Sequence, residues 1–400
     1  MIPHLRKAFN DAFSNEIYQT FLQDLENTHN KEVVFRVAET PLFVPNELRD
    51  KLIEASEDII DTLLKPEFMD YSAKAIPANF NVPNETAVPD FICIDFAICK
   101  DENGALIPQL IELQGCASLY CFQHFVAQKY RQHFQIPPHF SHLFGNRNSD
   151  EFLDFLRDVI LKQHDPKNVV LLEIKPHEQK TRIDFYCTQA MLGVKPVCIS
   201  EVWKENNQLF YDNNGTKTQI KRLYNRIIAE DFQRYPDLVP GFDMTENVDV
   251  EWAGHPNWFF RISKYTLPLL KNPYVPESTL LSDFDVFPND LENYVLKPLF
   301  SFAGTGVNIN VTPQDLQNIE PENRADYILQ KKVQYDPVIQ SPNNPVKVEL
   351  RMMYLWKQNE PRPQLLTNLG RMSKGEMIGV RFNQNNDWVG GTVGFFDVGY

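Results

Sequence analysis

The stretch that most restricts this chain is "DFICIDFAICKDENGALIPQLIELQG", residues 90–115. Two apolar runs flank "DENG", and an Asn-Gly pair between such runs predicts a β-hairpin, because the turn needs residues that tolerate positive φ. With Asn103 and Gly104 as a two-residue type I′ turn, Glu102 faces Ala105, and every later pair has the same sum of residue numbers. Asp95 then lies opposite Glu112, and Gln114 shares the face of Glu112 because side chains alternate along a strand. Facing carboxylates repel unless a cation lies between them. Two carboxylates and an amide oxygen suit magnesium, which takes oxygen ligands together with substrate phosphates. The same pattern also fits surface acids or an acid paired to arginine.

Around the hairpin the texture changes three times. "NELRDKLIEASEDIIDTLLK" places Leu48, Leu52, Ile59 and Leu63 on one helical stripe, with Pro66 as its stop. "SLYCFQHFVAQKYRQHF" reads as a helix, and "SDEFLDFLRDVILKQ" as another entered at Ser149 or Asp150. "NVVLLEI", "TRIDFYCTQAMLG" and "VKPVCIS" then alternate strand, helix and strand, which indicates a parallel α/β unit with Gly193 closing the helix. "WKENNQLFYDNNGTKTQIKRLYNRII" follows as a hairpin and return strand. After about residue 250, short strands and Asn- and Pro-rich turns suggest an α+β module.

That module contains "ENYVLKPLFSFAGTGVNINV", a strand ending in Lys297, a loop with Ser301, Gly304 and Gly306, and an expected second strand. Glycine permits close backbone approach and lysine supplies charge, so the loop could close over phosphates. It is neither a Walker loop nor GxGxxG before a helix, and a plain hairpin turn fits it equally. "DYILQKKVQYD" continues as strand, leaving an extended edge after Gln330. "KVELRMMYLW" alternates, with Glu349 and Arg351 on one face. Arg371, Lys374, Arg381, Asn383, Asn385 and the Gly390-Gly391 pair follow. Guanidinium forks match phosphate oxygens, although each arginine alone reads equally as a surface ion pair.

Joint order makes these motifs specific. The chain resembles the ATP-grasp ligases in a circularly permuted form, like the synthetase domain of glutathionylspermidine synthase. "YVLKPLFSFAGTGVNI", "YILQKKV", "VELRMMYLW" and "NLGRMS…NQNNDWVGG" keep the family order, while the metal hairpin lies upstream. "HPNWFFRISKYTLPLL" is similar to the segment before the lid. The likeness spans roughly residues 85 to 400. It implies an α+β/α/β fold, a permuted ATP-grasp core with a pre-ATP-grasp α/β domain. The parts would be 1–145 (helices and metal hairpin), 146–252 (substrate domain) and 253–400 (lid and adenine module).

The resemblance further implies that Lys264 and Lys297 contact ATP phosphates with Ser301, and that Gly304 and Gly306 form the lid loop. Gln330, Lys331 and Val333 would border the adenine, Arg351 and Arg371 would act in catalysis, and Asp95, Glu112 and Gln114 would hold Mg2+. Gln114 replaces the family asparagine. Cys93 stands where the polyamine-conjugating enzymes carry an arginine, which sets the glutathione–polyamine substrate pair in question. The implied reaction is ATP-dependent joining of a small-molecule carboxylate to an amine through an acylphosphate. A small-molecule kinase and a nucleotide-binding protein without catalysis are the alternatives.

Composition narrows the partners. The net charge of −14 argues against nonspecific binding to nucleic acid or anionic membrane. No segment has the length and apolarity of a membrane span or signal peptide, and six cysteines without metal-finger spacing suit a reducing cytoplasm. His124, His133, His139 and His142 form a cluster that reads as packing or, alternatively, as a metal site. Arg226 reads either as a contact to a substrate carboxylate or as a structural ion pair.

Overall fold

The computed structural model describes all residues except 229, 302, 303, 376, 377, 379–382, 384, 385 and 400. The hairpin forms, with strands Phe91–Lys100 and Leu106–Gln114. It completes a five-stranded antiparallel sheet in the order Gly390–Thr392, Gln364–Ser373, Lys347–Leu355, Phe91–Lys100, Leu106–Gln114. One sheet therefore joins the first third of the chain to the last. Nine of the ten residues of Phe91–Lys100 are buried, which fits a strand covered on both faces. The helix Asn46–Leu63 packs on the outer hairpin strand, and the helix Tyr120–His133 packs against Gln364–Ser373.

Asp95 does pair with Glu112, but through two offsets that cancel. The turn is a three-residue loop, not a two-residue type I′ turn. Asp101 N donates to the Ala105 carbonyl at 2.9 Å, and the Asp101 carboxylate accepts from the backbone N of Asn103 and Ala105. Gly104 sits at φ +82°, the position such loops reserve for glycine. This capping by Asp101 shifts the register by one. A bulge at Ile111, between the pairs Phe96–Leu110 and Asp95–Glu112, shifts it back.

The α/β unit is a four-stranded parallel sheet in the order Glu251–Ala253, Arg222–Asn225, Val169–Glu173, Lys195–Cys198. The helix Arg182–Leu192 crosses over and ends at Gly193, φ +75°. The expected hairpin is a three-stranded meander ahead of the return strand. The helix Asn46–Leu63 ends ahead of Pro66 as expected, and one other helix boundary differs from expectation. Pro66 opens the helix Pro66–Ala73, where its missing N–H costs nothing. Asn148, not Ser149 or Asp150, caps the helix Ser149–Ile160, in a reciprocal capping box with Glu151.

Ser278–Leu280, Tyr327–Lys331 and Tyr294–Pro298 form a three-stranded antiparallel sheet with its own small core of Leu281, Leu291, Leu296, Val311, Leu316 and Leu329. The strand expected after the glycine loop is reduced to a single bridge between Leu296 and Asn308. The Asn308 side chain accepts from Asn310 N at 2.9 Å, and that local turn draws the chain off the sheet.

Candidate functional site

The three-stranded sheet lies over the outer hairpin strand, and the seam is charged. Lys297, on Tyr294–Pro298, donates from Nζ to the Ile111 carbonyl at 3.0 Å and to Gln330 Oε1 at 2.5 Å. Ile111 is the bulged residue, so its carbonyl is spared from the regular ladder. Burial lowers the Lys297 ammonium to about 8; the Glu112 charge opposes this and the Lys264 charge adds to it. Lys264 reaches the same strand from the other end of the seam, 3.0 Å from Glu112 Oε1, and donates to the Ser301 carbonyl at 2.8 Å. Gln114 Nε2 donates to Glu112 Oε2 at 2.9 Å. Burial pushes the Glu112 carboxyl up, but the Lys264 charge and hydrogen bond, with the Arg351 charge, together outweigh it and hold the group below its usual value.

Beside Glu112 lies a cluster of two half-buried arginines around buried acids. Asp95 is 1% exposed and accepts from Arg351 Nε at 2.6 Å and Nη2 at 2.7 Å, a bidentate pair. Arg371 Nη2 donates to the same carboxylate and lies 3.2 Å from Glu349, which accepts from the Tyr335 hydroxyl. Arg351 Nη1 donates to Ser118 Oγ at 2.7 Å. Burial raises the Asp95 carboxyl, and the charges and hydrogen bonds of the two guanidinium groups more than reverse this, so its pKa lies below the usual value.

The structure thus brings Asp95, Glu112, Gln114, Lys264, Lys297, Ser301, Gln330, Arg351 and Arg371 to one place. Gly304 and Gly306 lie at φ +72° and +73° in the adjoining loop, and a Cβ on Gly306 would come 2.8 Å from Pro298 Cγ. Val333 is half-buried beyond the strand end. Lys331 turns away, 3.1 Å from Asp290 and over the Tyr294 ring. Lys374 and Asn383 serve the turn after Ser373, and Gly390 lets its strand approach the Arg36 backbone. Arg381 and Asn385 lie outside the described residues.

A divalent cation fits part of the proposed ligand set. Glu112 and Gln114 present adjacent oxygen-bearing groups on one face, and a cation there would have to displace Lys264 and the Gln114 amide from the two Glu112 oxygens. Asp95 does not fit in this arrangement, because both its oxygens are engaged by guanidinium groups. No group of three His, Cys, Asp or Glu side chains with metal-site geometry occurs among the described residues. His124 and His142 form a buried pair, Nδ1 to Nε2 at 3.0 Å, while His133 contacts Asp24 and His139 faces Asp397, so the four do not converge. Arg226 is an ion-pair residue: Nη1 donates to Asp184 at 2.7 Å and to the Ser118 carbonyl at 3.1 Å.

Sequence reasoning did not find the Ile111 carbonyl or the Ser118 hydroxyl, since a bulge and a lone serine leave no pattern. It also missed a cavity of about 440 Å3 beside the glycine loop, lined by Glu230, Phe300, Ser301, Glu320, Asp326 and Tyr327 among others. Among the described residues no helix is long and apolar enough to cross a membrane.

No family model and no curated protein matches the sequence. Among solved structures the chain is similar to the apo form of a glutathione synthetase-like effector, GSS30, from Globodera pallida. The TM-score is 0.57 with 11% identical residues, and the match covers 97% of this chain and 98% of that one. At that identity the likeness is one of fold: a mixed α+β architecture like that of a glutathione synthetase-like protein.

Proposed function

We propose that the seam between the hairpin and the three-stranded sheet binds a nucleoside triphosphate, and that the chain is an ATP- and magnesium-dependent carboxylate–amine ligase of circularly permuted ATP-grasp type. The observation that carries this reading is the meeting of Lys264 and Lys297 on the Glu112 strand, flanked by Arg351 and Arg371. Four cations from separated segments converge on three buried or half-buried acids, a charge balance suited to an incoming polyanion. The glutathione synthetase-like fold supports the same reaction class.

In this reading Lys297 and Lys264 neutralise the phosphate chain, and the glycine loop closes over it to exclude water. An oxygen of the carboxylate substrate attacks the γ-phosphorus and the β–γ bridging bond breaks. ADP leaves and the carboxylate becomes an acylphosphate retained in the site; an amine then attacks its acyl carbon and displaces phosphate, with loss of a proton from the amine. The chain supplies positioning and charge, and no protein nucleophile is required. Glu112 and Gln114 would hold a magnesium ion, which supplies charge neutralisation when bound. Asp95 acts through the arginines it anchors. The domain divisions at 145 and 252 and a cytoplasmic setting belong to the same proposal.

A second reading, nucleotide binding without catalysis, draws on the engagement of Asp95 by two guanidinium groups. ADP release across a panel of amines and carboxylates, with products identified by mass spectrometry, separates the two. A condensed product supports the ligase; nucleotide binding with no turnover on any pair supports the second reading.

A further inference from the structure

A second cavity, of about 290 Å3, lies where the helices Asn46–Leu63 and Pro66–Ala73 meet the segment 87–89 and the helix Asn257–Arg261. Its wall is mainly apolar and includes Phe68, Trp258 and Trp356. Both indole N–H groups are already engaged, Trp258 Nε1 with the Thr86 carbonyl at 3.2 Å and Trp356 Nε1 with the Glu360 carbonyl at 2.9 Å, so the rings offer the cavity carbon surface and no donor. Leu64 and Met69 line it at 36% and 38% exposure, two of the five large hydrophobic side chains exposed among the described residues. Scattered exposed apolar side chains are ordinary, whereas a clustered pair beside a cavity marks a binding surface. Lys65 and Glu360 line the same cavity; both are exposed, and neither has an ion-pair partner among the described residues. The cavity is behind the nucleotide seam, not in it: Ile262 lines it and its carbonyl accepts from Gly115 N at 2.8 Å, just past Gln114.

We propose that this cavity binds a free α-amino acid with a large apolar side chain. The side chain lies against Phe68, Trp258 and Trp356, the α-carboxylate pairs with Lys65 and the α-ammonium pairs with Glu360. The volume falls just under the roughly 300 Å3 at which drug-sized sites begin, so it suits a molecule of single-amino-acid size. An apolar body carrying one charge of each sign is the occupant that complements both the wall and the two unpaired side chains. Its binding requires no nucleotide.

Calorimetric titration with L-phenylalanine, L-leucine, 3-phenylpropionate, phenethylamine and N-acetylphenylalaninamide tests the site. Saturable binding of both amino acids is expected, weakened roughly two- to fivefold when either charge is removed from the probe, as for loss of one exposed ion pair. Lys65→Met should weaken phenylalanine binding by the same factor and leave phenethylamine, which lacks the carboxylate, unaffected. Glu360→Gln should do likewise, with 3-phenylpropionate as the unaffected probe. Met69→Trp fills the cavity from an exposed position and should abolish binding of every probe at an unchanged melting temperature. Absence of saturable binding of either amino acid by the wild type would overturn the site. N-acetylphenylalaninamide binding as tightly as phenylalanine, or wild-type phenylalanine affinity in both Lys65→Met and Glu360→Gln, would overturn the charge pairing. Binding that persists in folded Met69→Trp would place the ligand elsewhere and overturn the assignment to this cavity; if that variant does not fold, Leu64→Trp makes the same test from the other exposed wall residue.

Discussion

Asp95 is the residue whose replacement best separates an ion-pair anchor from a metal ligand. Its carboxylate is 1% exposed and holds Arg351 through two hydrogen bonds, with Arg371 on the same oxygen as Arg351 Nη2. Asp95→Asn keeps the shape and removes the charge, which leaves two guanidinium groups around a neutral amide. Removing one partner of a buried ion pair costs about 3–5 kcal/mol, because the remaining charge stays desolvated. Two dependent arginines place this variant within that range, despite the oxygen that asparagine retains. Urea unfolding should show the midpoint falling accordingly. Arg351→Gln in both backgrounds completes a double-mutant cycle with a coupling of roughly 1–3 kcal/mol. The sign of the pH dependence follows from the depressed folded-state pKa: the stabilisation is present above the unfolded-state pKa and is lost as pH falls through the folded one. Asp95→Asn should lack that acid-side loss. Stability within about 1 kcal/mol of wild type, together with lost affinity for manganese used in place of magnesium, would refute the anchor and restore the ligand.

Three further outcomes are expected. Lys297→Ala should lower ADP release by roughly 10²–10³-fold while the circular dichroism spectrum is unchanged, as for loss of one preorganised charge at a reacting oxyanion. Glu173, 5% exposed at the end of the strand Val169–Glu173, is raised by burial to about 8, so its contribution to stability is lost as pH rises from the ordinary carboxyl range toward 8. Glu173→Gln should therefore gain stability relative to wild type across that window in denaturant titrations. Gly306→Ala forces a side chain into a left-handed backbone 2.8 Å from Pro298, which should cost about 1–3 kcal/mol, visible as faster amide exchange in residues 294–311.

The sequence carries the elements whose periodicity or punctuation is strong. The hairpin runs, the Asn46–Leu63 stripe and the strand–helix–strand alternation, its helix closed by Gly193, all reappear as expected. Local side-chain hydrogen bonds were harder to read. Asp101 selects the longer turn, Asn148 takes the cap, and Asn308 ends the strand that the alternating apolar residues of 307–311 predict. The convergence of Lys264 and Lys297 on the Glu112 strand was anticipated from motif order, and spacing alone could not supply it. What spacing also missed was the competition for Asp95. Two carboxylates facing each other satisfy a pattern for magnesium, but arginines 256 and 276 positions away reach one of them. Long-range pairing of that kind leaves no local trace.

Titration of a non-hydrolysable ATP analogue with magnesium into the wild-type protein and Lys297→Ala, followed by calorimetry, addresses the nucleotide seam most directly. Saturable binding at one site in the wild type, weakened at least about tenfold by loss of the lysine, is the predicted result. Absence of binding, or binding that Lys297→Ala leaves intact, would contradict it.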